Sequence, residues 1–431
     1  MRNGKKIGLA LSGGGYRAAA FHLGTLKKLY ELNILDDIDV ISSISGGSII
    51  AAFYCITNES FPDFEKKMTE NLNKKSVIKH VVLSKRFLLA LGILACFLLL
   101  CIFSVNYFSA WFLLPLIALF LYLLNRYQFK VLPISKEVER AYNSFFFQGA
   151  TLSDLKVKPE LAIGATNLQT SKPFTFSKRK MEDSSYAFMN PPVRFKNQSF
   201  PLARAVAASS AIPNFFSPVR IELSFFDNPN DFKKVDPVLV DGGVYDNQGI
   251  HKITQGKSSY ECDIIITSDA GNKLPFAGNY NNTFILLLRT IETFMLRIKN
   301  LQMIQNLYIN SGKKENTYFS LGWDLENCID GFINNLQNNN IPPNVIAAHN
   351  IPEIYLEKIS SYKSDITEIL IKNTHYEKVI SDGASQAELQ IARDVKTNLT
   401  KLSKLEIASL MKHGAAITEL QIRLYCPTLF L

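Results

Sequence analysis

A chain of 431 residues can bury a sizeable core, and its length suggests two or three domains at most. Its 47 Lys plus Arg against 38 Asp plus Glu leave a formal charge of +9, which points to an anionic partner, either nucleic acid or a phospholipid surface. No zinc spacing, helix-turn-helix signal or basic cluster interleaved with aromatics supports nucleic acid, and Cys55, Cys96, Cys101, Cys262, Cys328 and Cys426 read as reduced thiols without metal-ligand spacing.

The opening stretch, MRNGKKIGLALSGGGYRAAAF, passes from basic to apolar, but its apolar run is short and broken by glycines, which argues against a signal peptide. KIGLALS (6 to 12) predicts a buried strand and AAAFHLGTLKKLYEL a helix, with Phe21, Leu26 and Leu29 on one side. DVISS predicts a second strand, and GGSIIAAFYCI opens a second helix. A strand, a turn of small residues and a helix, twice in succession, indicate an α/β architecture with a parallel sheet.

From Phe87 to Leu124 no residue is charged, and polar atoms occur only at Ser104, Asn106, Tyr107, Ser109 and Tyr122. A membrane-spanning helix needs ~20 residues, so the run fits two short helices, at about 87–104 and 107–124. Leu, Ile and Phe at roughly −0.3 to −0.6 kcal/mol each make insertion favourable. Two other readings are a pair of buried core helices and a re-entrant hairpin, the latter kept open by Pro115. Lys74, Lys75, Lys79, Lys85 and Arg86 precede the run and Arg126 and Lys130 follow it, while the connecting loop has no basic residue. The positive-inside rule then places both ends on the cytoplasmic side, with Trp111 and Tyr107 in an aromatic belt. The expectation is an integral membrane protein whose α/β domain and both termini are cytoplasmic.

Downstream, ELAIGATNL and PFTFS predict strands, LARAVAASSAIP a helix ended by Pro213, and PVLVDGG and DIIITSDAG two more strands, each closing on an acidic residue before glycine. Beyond about 280 the pattern turns helical in FILLLRTIETFMLRIKNLQMIQNLYI and LTKLSKLEIASLMKH, with an Asn-rich loop, NNLQNNNIPPN, between two helical parts.

The segment SSISGGS at the second strand-to-helix turn carries the chemistry. A nucleophile elbow is written G-x-S-x-G, because small neighbours let the backbone bend and expose Oγ. Centred on Ser45 the chain reads Ser43-Ile44-Ser45-Gly46-Gly47, with serine for the first glycine; a plain serine helix cap is the alternative. In LSGGGYRA the amides of Gly13, Gly14 and Gly15 can converge on an oxyanion. The same glycines loosely match a dinucleotide fingerprint, but Asp36, Asp37 and Asp39 precede the second strand instead of ending it, and no Walker lysine is present. Of six histidines, His251 is the best placed for a triad. Asp241, with Gly242 and Gly243 allowing close approach at a strand end, is the stronger basic partner.

The ordered motifs SGGGYR, SISGG, GATNLQTSKPFTF, ARAVAASSAIPNFFSPV and DGGVYDNQG resemble the patatin-like phospholipase family over roughly residues 6 to 270, with the apolar hairpin as an insertion; DAGNKLP and the later helices resemble bacterial-type members more loosely. The resemblance implies a three-layer α/β/α domain and a Ser–Asp dyad, with Ser45 as nucleophile, Asp241 as general base and Gly13, Gly14 and Gly15 as oxyanion hole. Ser43, Gly46, Gly47, Gly242 and Gly243 then support the elbow and the dyad, and Arg17 reads equally as a phosphate contact or half of a structural ion pair. Ser43, Ser12 and Ala18 depart from the family's frequent Gly, Asp and Gly. The expected organisation is a catalytic domain in two parts (1–84 and 127–280), a transmembrane hairpin (85–126) and a mostly helical C-terminal region (281–431). The expected activity is hydrolysis of a phospholipid or other lipid ester at a bilayer, without metal or cofactor; acyl transfer by the same site, or a catalytically silent membrane scaffold, are the alternatives.

Overall fold

The computed structural model describes residues 4–272, 280–305 and 314–431. The KLP of DAGNKLP and the end of the first long helical segment, 306–309, lie outside the described residues.

Strand β1 (Ile7–Leu11) leads through the glycines into helix α1 (Gly15–Glu31), and β2 (Ile38–Ile44) leads through Ser45 into α2 (Gly46–Ile56). Strands β3 (Glu160–Asn167), β4 (Lys172–Phe176), β5 (Met181–Asp183), β6 (Val219–Arg220), β7 (Val238–Asp241), β8 (Ile264–Asp269) and β9 (Glu315–Ser320) complete the sheet among the described residues. The main order is β5-β4-β3-β2-β1-β8-β9. The inner run β3-β2-β1-β8-β9 is parallel, while β4, β5, β6 and β7 pair antiparallel. The parallel strands are buried along almost their whole length because helices cover both faces.

Alternation sorts their side chains. Leu9, Leu11, Ile41, Leu161, Ile163 and Ile266 enter the large core beneath α1, α2 and the C-terminal helix Lys404–Tyr425. Ala10, Val40, Ala162 and Ile265 enter a smaller core that includes Ile250 and Ile253 of the helix Ile250–Thr254. The result is the α/β architecture that the strand–turn–helix repeats indicate, in the three-layer α/β/α form that the family resemblance implies.

Two elements depart from expectation. Strand β9, ENTYFS, extends the sheet within the region read as helical; its Glu, Asn, Thr and Ser gave no apolar run, yet it is fully buried against β8. The helix expected to run to Pro213 spans Leu202–Ser209. Its end is set by β7: the Asp241 N–H donates to the Ala211 carbonyl at 2.9 Å and the Gly242 N–H to the Ser209 carbonyl at 3.2 Å.

Helices α3 (Phe61–Lys74) and α4 (Val77–Val82) lead to α5 (Lys85–Tyr107), and α6 (Leu113–Val131) returns to α7 (Ile134–Tyr142). Helices α5 and α6 are long and apolar enough to cross a membrane. They form a hairpin held by the stacked rings of Phe97 and Phe120, 3.9 Å apart. Helix α5 runs further than expected, with Ser104, Asn106 and Tyr107 in its last turn, whereas α6 starts later than expected, at Leu113, and ends later, at Val131; the chain breaks at Phe108, after which Ser109 Oγ accepts from the Trp111 N–H at 3.3 Å. Leu88, Leu99, Leu114 and Leu121 lie more than half exposed, so the hairpin stands clear of the α/β core.

Candidate active site

The topology brings two strand ends together. Strand β2 runs parallel to β3 and ends with Ile44 opposite Gly164. Strand β7 runs antiparallel to β3 along the same edge and ends with Asp241 opposite Ala165, the next residue. The two strands therefore meet head to head, and the residue after Ile44 is Ser45. The Ser45 side chain lies close enough to the Asp241 carboxyl to draw its pKa down. Each is 7 % exposed.

Ser45 holds φ 49 and ψ −116, outside the ordinary regions for an L side chain. That geometry turns the chain from strand to helix at one residue and leaves Oγ projecting from the bend. A serine network fixes the bend. The Ser45 N–H donates to Ser209 Oγ at 2.9 Å, and Ser209 Oγ donates to the Gly164 carbonyl at 2.6 Å. Ser48 Oγ lies within reach of both Ser43 Oγ (3.1 Å) and Ser209 Oγ (3.0 Å). Ser43 in the elbow's first position is thus a bonded network member, and Ser209 is a positioning residue that the sequence reading missed. Its signal was the repeated small residues of ARAVAASS, which a buried polar side chain can use where a larger one cannot.

Gly46 and Gly242 are required by close approach. A Cβ on Gly46 would lie 2.1 Å from the Gly15 carbonyl oxygen, and one on Gly242 would lie 2.5 Å from the Gly164 carbonyl oxygen. The first contact joins the N-termini of α1 and α2 beside Ser45, so the positive ends of two helix dipoles converge there. Gly13 does not offer its amide to that space: its N–H donates to the Asn247 carbonyl at 2.9 Å. Gly47 likewise donates to the Ser12 carbonyl at 3.1 Å. The amides of Gly14, Gly15 and Gly46 have no hydrogen-bond acceptor among the described residues. Gly46, the residue after the elbow serine, therefore joins the oxyanion candidates in place of Gly13.

Burial pushes the Asp241 carboxyl up from 3.8 to about 7, against the opposing pull of the Gly243 N–H, which donates to Oδ1 at 2.7 Å, and of Ser45. The nearby Asp246 is also raised by burial, to about 6, but its oxygens accept from the backbone N–H groups of Gln248, Gly249 and His251 at 3.0, 3.1 and 2.7 Å. It is a loop tie. Asp269, at the end of β8, is buried too, but Lys299 at 2.6 Å, the Tyr318 hydroxyl and the Gly271 N–H outweigh burial and hold it below the usual range. Lys299 belongs to the helix Thr283–Met303, which crosses the site and brings Met295 Cε to 3.1 Å from where a Gly243 Cβ would stand.

Two other candidates take structural positions. Arg17 donates to the Val395 carbonyl at 3.3 Å, and burial lowers its pKa against the attraction of Asp269. The His251 ring packs edge-on against Tyr245, and neither Ser45 nor Asp241 is among its partners. His22, fully buried between Ser268 Oγ at 2.9 Å and the Ser12 carbonyl at 3.0 Å, is lowered by burial to about 4 and stays neutral. No cluster of His, Cys, Asp or Glu among the described residues could hold a metal. The arrangement offers a strained hydroxyl, a carboxyl titrating near neutrality and unoccupied amides, which suits acyl transfer from an ester to Oγ.

A family model described as patatin-like phospholipase matches residues 9–252. Among solved structures the chain is similar to human GIVD cytosolic phospholipase A2 in complex with methyl gamma-linolenyl fluorophosphonate, at 13% identity and a TM-score of 0.48, over 99% of this chain and 58% of that one. A second complex of the same human protein, with the inhibitor and terbium chloride, gives 12% identity and a TM-score of 0.47 over 99% and 59%. VipD from Legionella pneumophila is similar at 14% identity and a TM-score of 0.32, over 97% of this chain and 91% of that one. The chain thus spans under two thirds of the human phospholipase chains it matches.

Proposed function

The chain belongs to the patatin-like phospholipase family, and we propose that it is a membrane-anchored lipid acyl hydrolase with Ser45 as nucleophile and Asp241 as general base. The observation that supports this reading is the head-to-head meeting of β2 and β7 on β3, which brings Ser45 close to a carboxyl raised to about 7. A base of that strength is mostly ionised just above neutral pH, yet basic enough to accept a hydroxyl proton in the transition state.

In the reaction, Ser45 Oγ attacks the ester carbonyl carbon as its proton passes to Asp241. The carbonyl oxygen becomes an oxyanion facing the amides of Gly14, Gly15 and Gly46, each typically worth ~10²–10³ in rate. Collapse breaks the ester C–O bond, and the leaving alcohol takes the proton from Asp241. Water then attacks the acyl-serine with Asp241 again as base, which restores Ser45 and releases a fatty acid.

Helices α5 and α6 support the anchor: at 23 and 19 residues they match the ~30 Å of a bilayer core at 1.5 Å per residue. With Lys85 and Arg86 at one end and Arg126 and Lys130 at the other, the catalytic domain and both termini face the cytoplasm. Cysteines placed at positions 80 and 106, in a background lacking native thiols, should react with an impermeant reagent from opposite sides; same-side reaction refutes spanning.

A fluorophosphonate probe tests the chemistry. Wild type should label, Ser45→Ala should not, and Asp241→Asn should label far more slowly. Equal labelling of wild type and Ser45→Ala removes the nucleophile assignment. Mass spectrometry of products from mixed phospholipids should show free fatty acid and lysolipid with wild type only; acyl groups recovered on another alcohol instead would make the protein a transferase.

A further inference from the structure

At the foot of the hairpin a groove of about 610 Å³ opens between α4, the first turn of α5 and α7. Lys75, Lys79, His80, Lys85, Arg140 and Phe145 line it. Its acidic residue, Glu137, is taken up: Arg140 meets it at 2.6 Å and Arg86 at 3.6 Å. Lys74 at the rim is paired with Glu70 at 3.2 Å. Lys75 is held in place without a carboxylate, its Nζ donating to the Phe145 carbonyl at 3.3 Å and lying 5.5 Å from the ring of the same residue. The His80 ring meets that phenyl edge-on at 5.6 Å. Lys79 and Lys85 have no carboxylate partner among the described residues.

The groove therefore gathers cations well in excess of what its own acids neutralise, around an aromatic ring that orders one of them. Its apolar border says where it faces. Ile78, Val82 and Leu83 are 37, 42 and 61 % exposed on and just after α4, and they run directly into Lys85 and the apolar surface of α5. A surface with exposed Ile, Val and Leu beside free lysines is suited to the headgroup region of a bilayer, where apolar side chains enter the acyl boundary and ammonium groups meet phosphates.

We propose that this groove binds the phosphate headgroup of an anionic phospholipid in the leaflet facing the catalytic domain, with Lys75, Lys79 and Lys85 as its cations. The inference rests on the membrane-anchored reading above, since α5 fixes the groove at headgroup depth. The occupied site would seat α4 in the interface and hold the catalytic domain at one height over its substrate surface. Near an anionic surface each such lysine contributes roughly five-fold in association, so three together reach about 10²-fold.

The test uses the full chain reconstituted in phosphatidylcholine vesicles with a minor share of phosphatidylglycerol and a bimane fluorophore on a cysteine at position 78. Brominated phosphatidylglycerol should quench the fluorophore about ten-fold more effectively, per mole of lipid, than brominated phosphatidylcholine. The triple variant Lys75→Gln, Lys79→Gln, Lys85→Gln should abolish the preference, the corresponding triple Arg variant should keep it, and soluble glycerophosphoglycerol should not displace the lipid. Equal quenching by both lipids in wild type, loss of preference in the Arg variant, or its persistence in the Gln variant overturns the proposal. Alkaline carbonate extraction of the same vesicles reads insertion separately: an extracted protein refutes the anchor, whereas a retained protein without lipid preference refutes only the headgroup site.

Discussion

Replacing Asp241 by Asn should inactivate the protein and stabilise it at the same time. The substitution keeps the shape and the bonds: Asn Oδ1 can accept from the Gly243 N–H that Asp241 accepts at 2.7 Å, and its amide can donate to Ser45. What it removes is an ionisation in a buried place. Wild-type Asp241 titrates at about 7 in the folded chain against 3.8 for a free carboxyl. Its folded pKa is raised, so its contribution to stability is complete below pH ~4 and is lost as pH rises from ~4 through ~7. At 1.36 kcal/mol per pH unit, the loss reaches about 4 kcal/mol above pH ~8. An Asn side chain has no such loss. The stability of Asp241→Asn relative to wild type should therefore climb from pH 4 to 7 and level off above 8, appearing in thermal melts of the detergent-solubilised protein as a gain of roughly 4–5 °C. Parallel melting curves for the two proteins from pH 4 to 9 would refute the buried-base argument. The same titration should appear in wild-type kcat/KM, rising through about pH 7 as the carboxyl loses its proton.

Other consequences follow from the same geometry. Ser45→Gly and Ser45→Ala should both be inactive, but Gly relieves the positive φ and should melt higher by about 1 kcal/mol, read by denaturant titration. Ser209→Ala removes the acceptor of the Ser45 N–H and the donor to Gly164; it should cost about 1–3 kcal/mol and slow fluorophosphonate labelling about ten-fold, and an unchanged labelling rate would deny Ser209 its positioning role. Gly46→Ala should abolish both activity and a cooperative melt, since its methyl group would meet the Gly15 carbonyl at 2.1 Å. His251→Ala should retain lipid hydrolysis within about two-fold in a product assay, and a larger loss would restore a triad.

The elements nearest the N-terminus were readable because each carries a local signal: apolar runs for β1 and β2, small residues at both turns, helical spacing in α1. Helices α5 and α6 were equally plain, since a charge-free run leaves little else. Strand β9 was not, because a strand buried by neighbours on both faces needs no apolar pattern of its own when Thr317 Oγ1 and Tyr318 Oη find partners in Gln421 and Asp269. At the site, sequence placed Ser45 at a bend and Asp241 at a strand end and offered the second as partner to the first, and the family resemblance implied that the two form a dyad. The pairing lies in β3, whose consecutive residues Gly164 and Ala165 receive strands arriving from opposite directions. No local pattern around Ser45 or Asp241 encodes that, and the redirection of the Gly13 amide to Asn247 depends on a contact equally remote in sequence.

In the proposed histidine-free dyad one carboxyl would do what an imidazole does elsewhere, and burial is what raises its affinity for the proton. A carboxylate in water is a poor base for a serine hydroxyl; removed from water at the junction of β2, β3 and β7, it acquires an affinity for protons comparable to that of a free histidine. Asp269 shows that burial alone does not decide this, for Lys299 and Tyr318 hold it ionised. Asp241 differs in having Ser45 and the Gly243 amide as its principal donors and no cation among them. The absence of a neighbouring cation among the described residues keeps its pKa high, and the same absence makes its ionised form costly to the fold. Introducing a lysine or arginine within reach of Asp241 should therefore stabilise the protein above pH 7, shift the kcat/KM profile to lower pH and lower its plateau, because a carboxylate made easier to ionise is a weaker base.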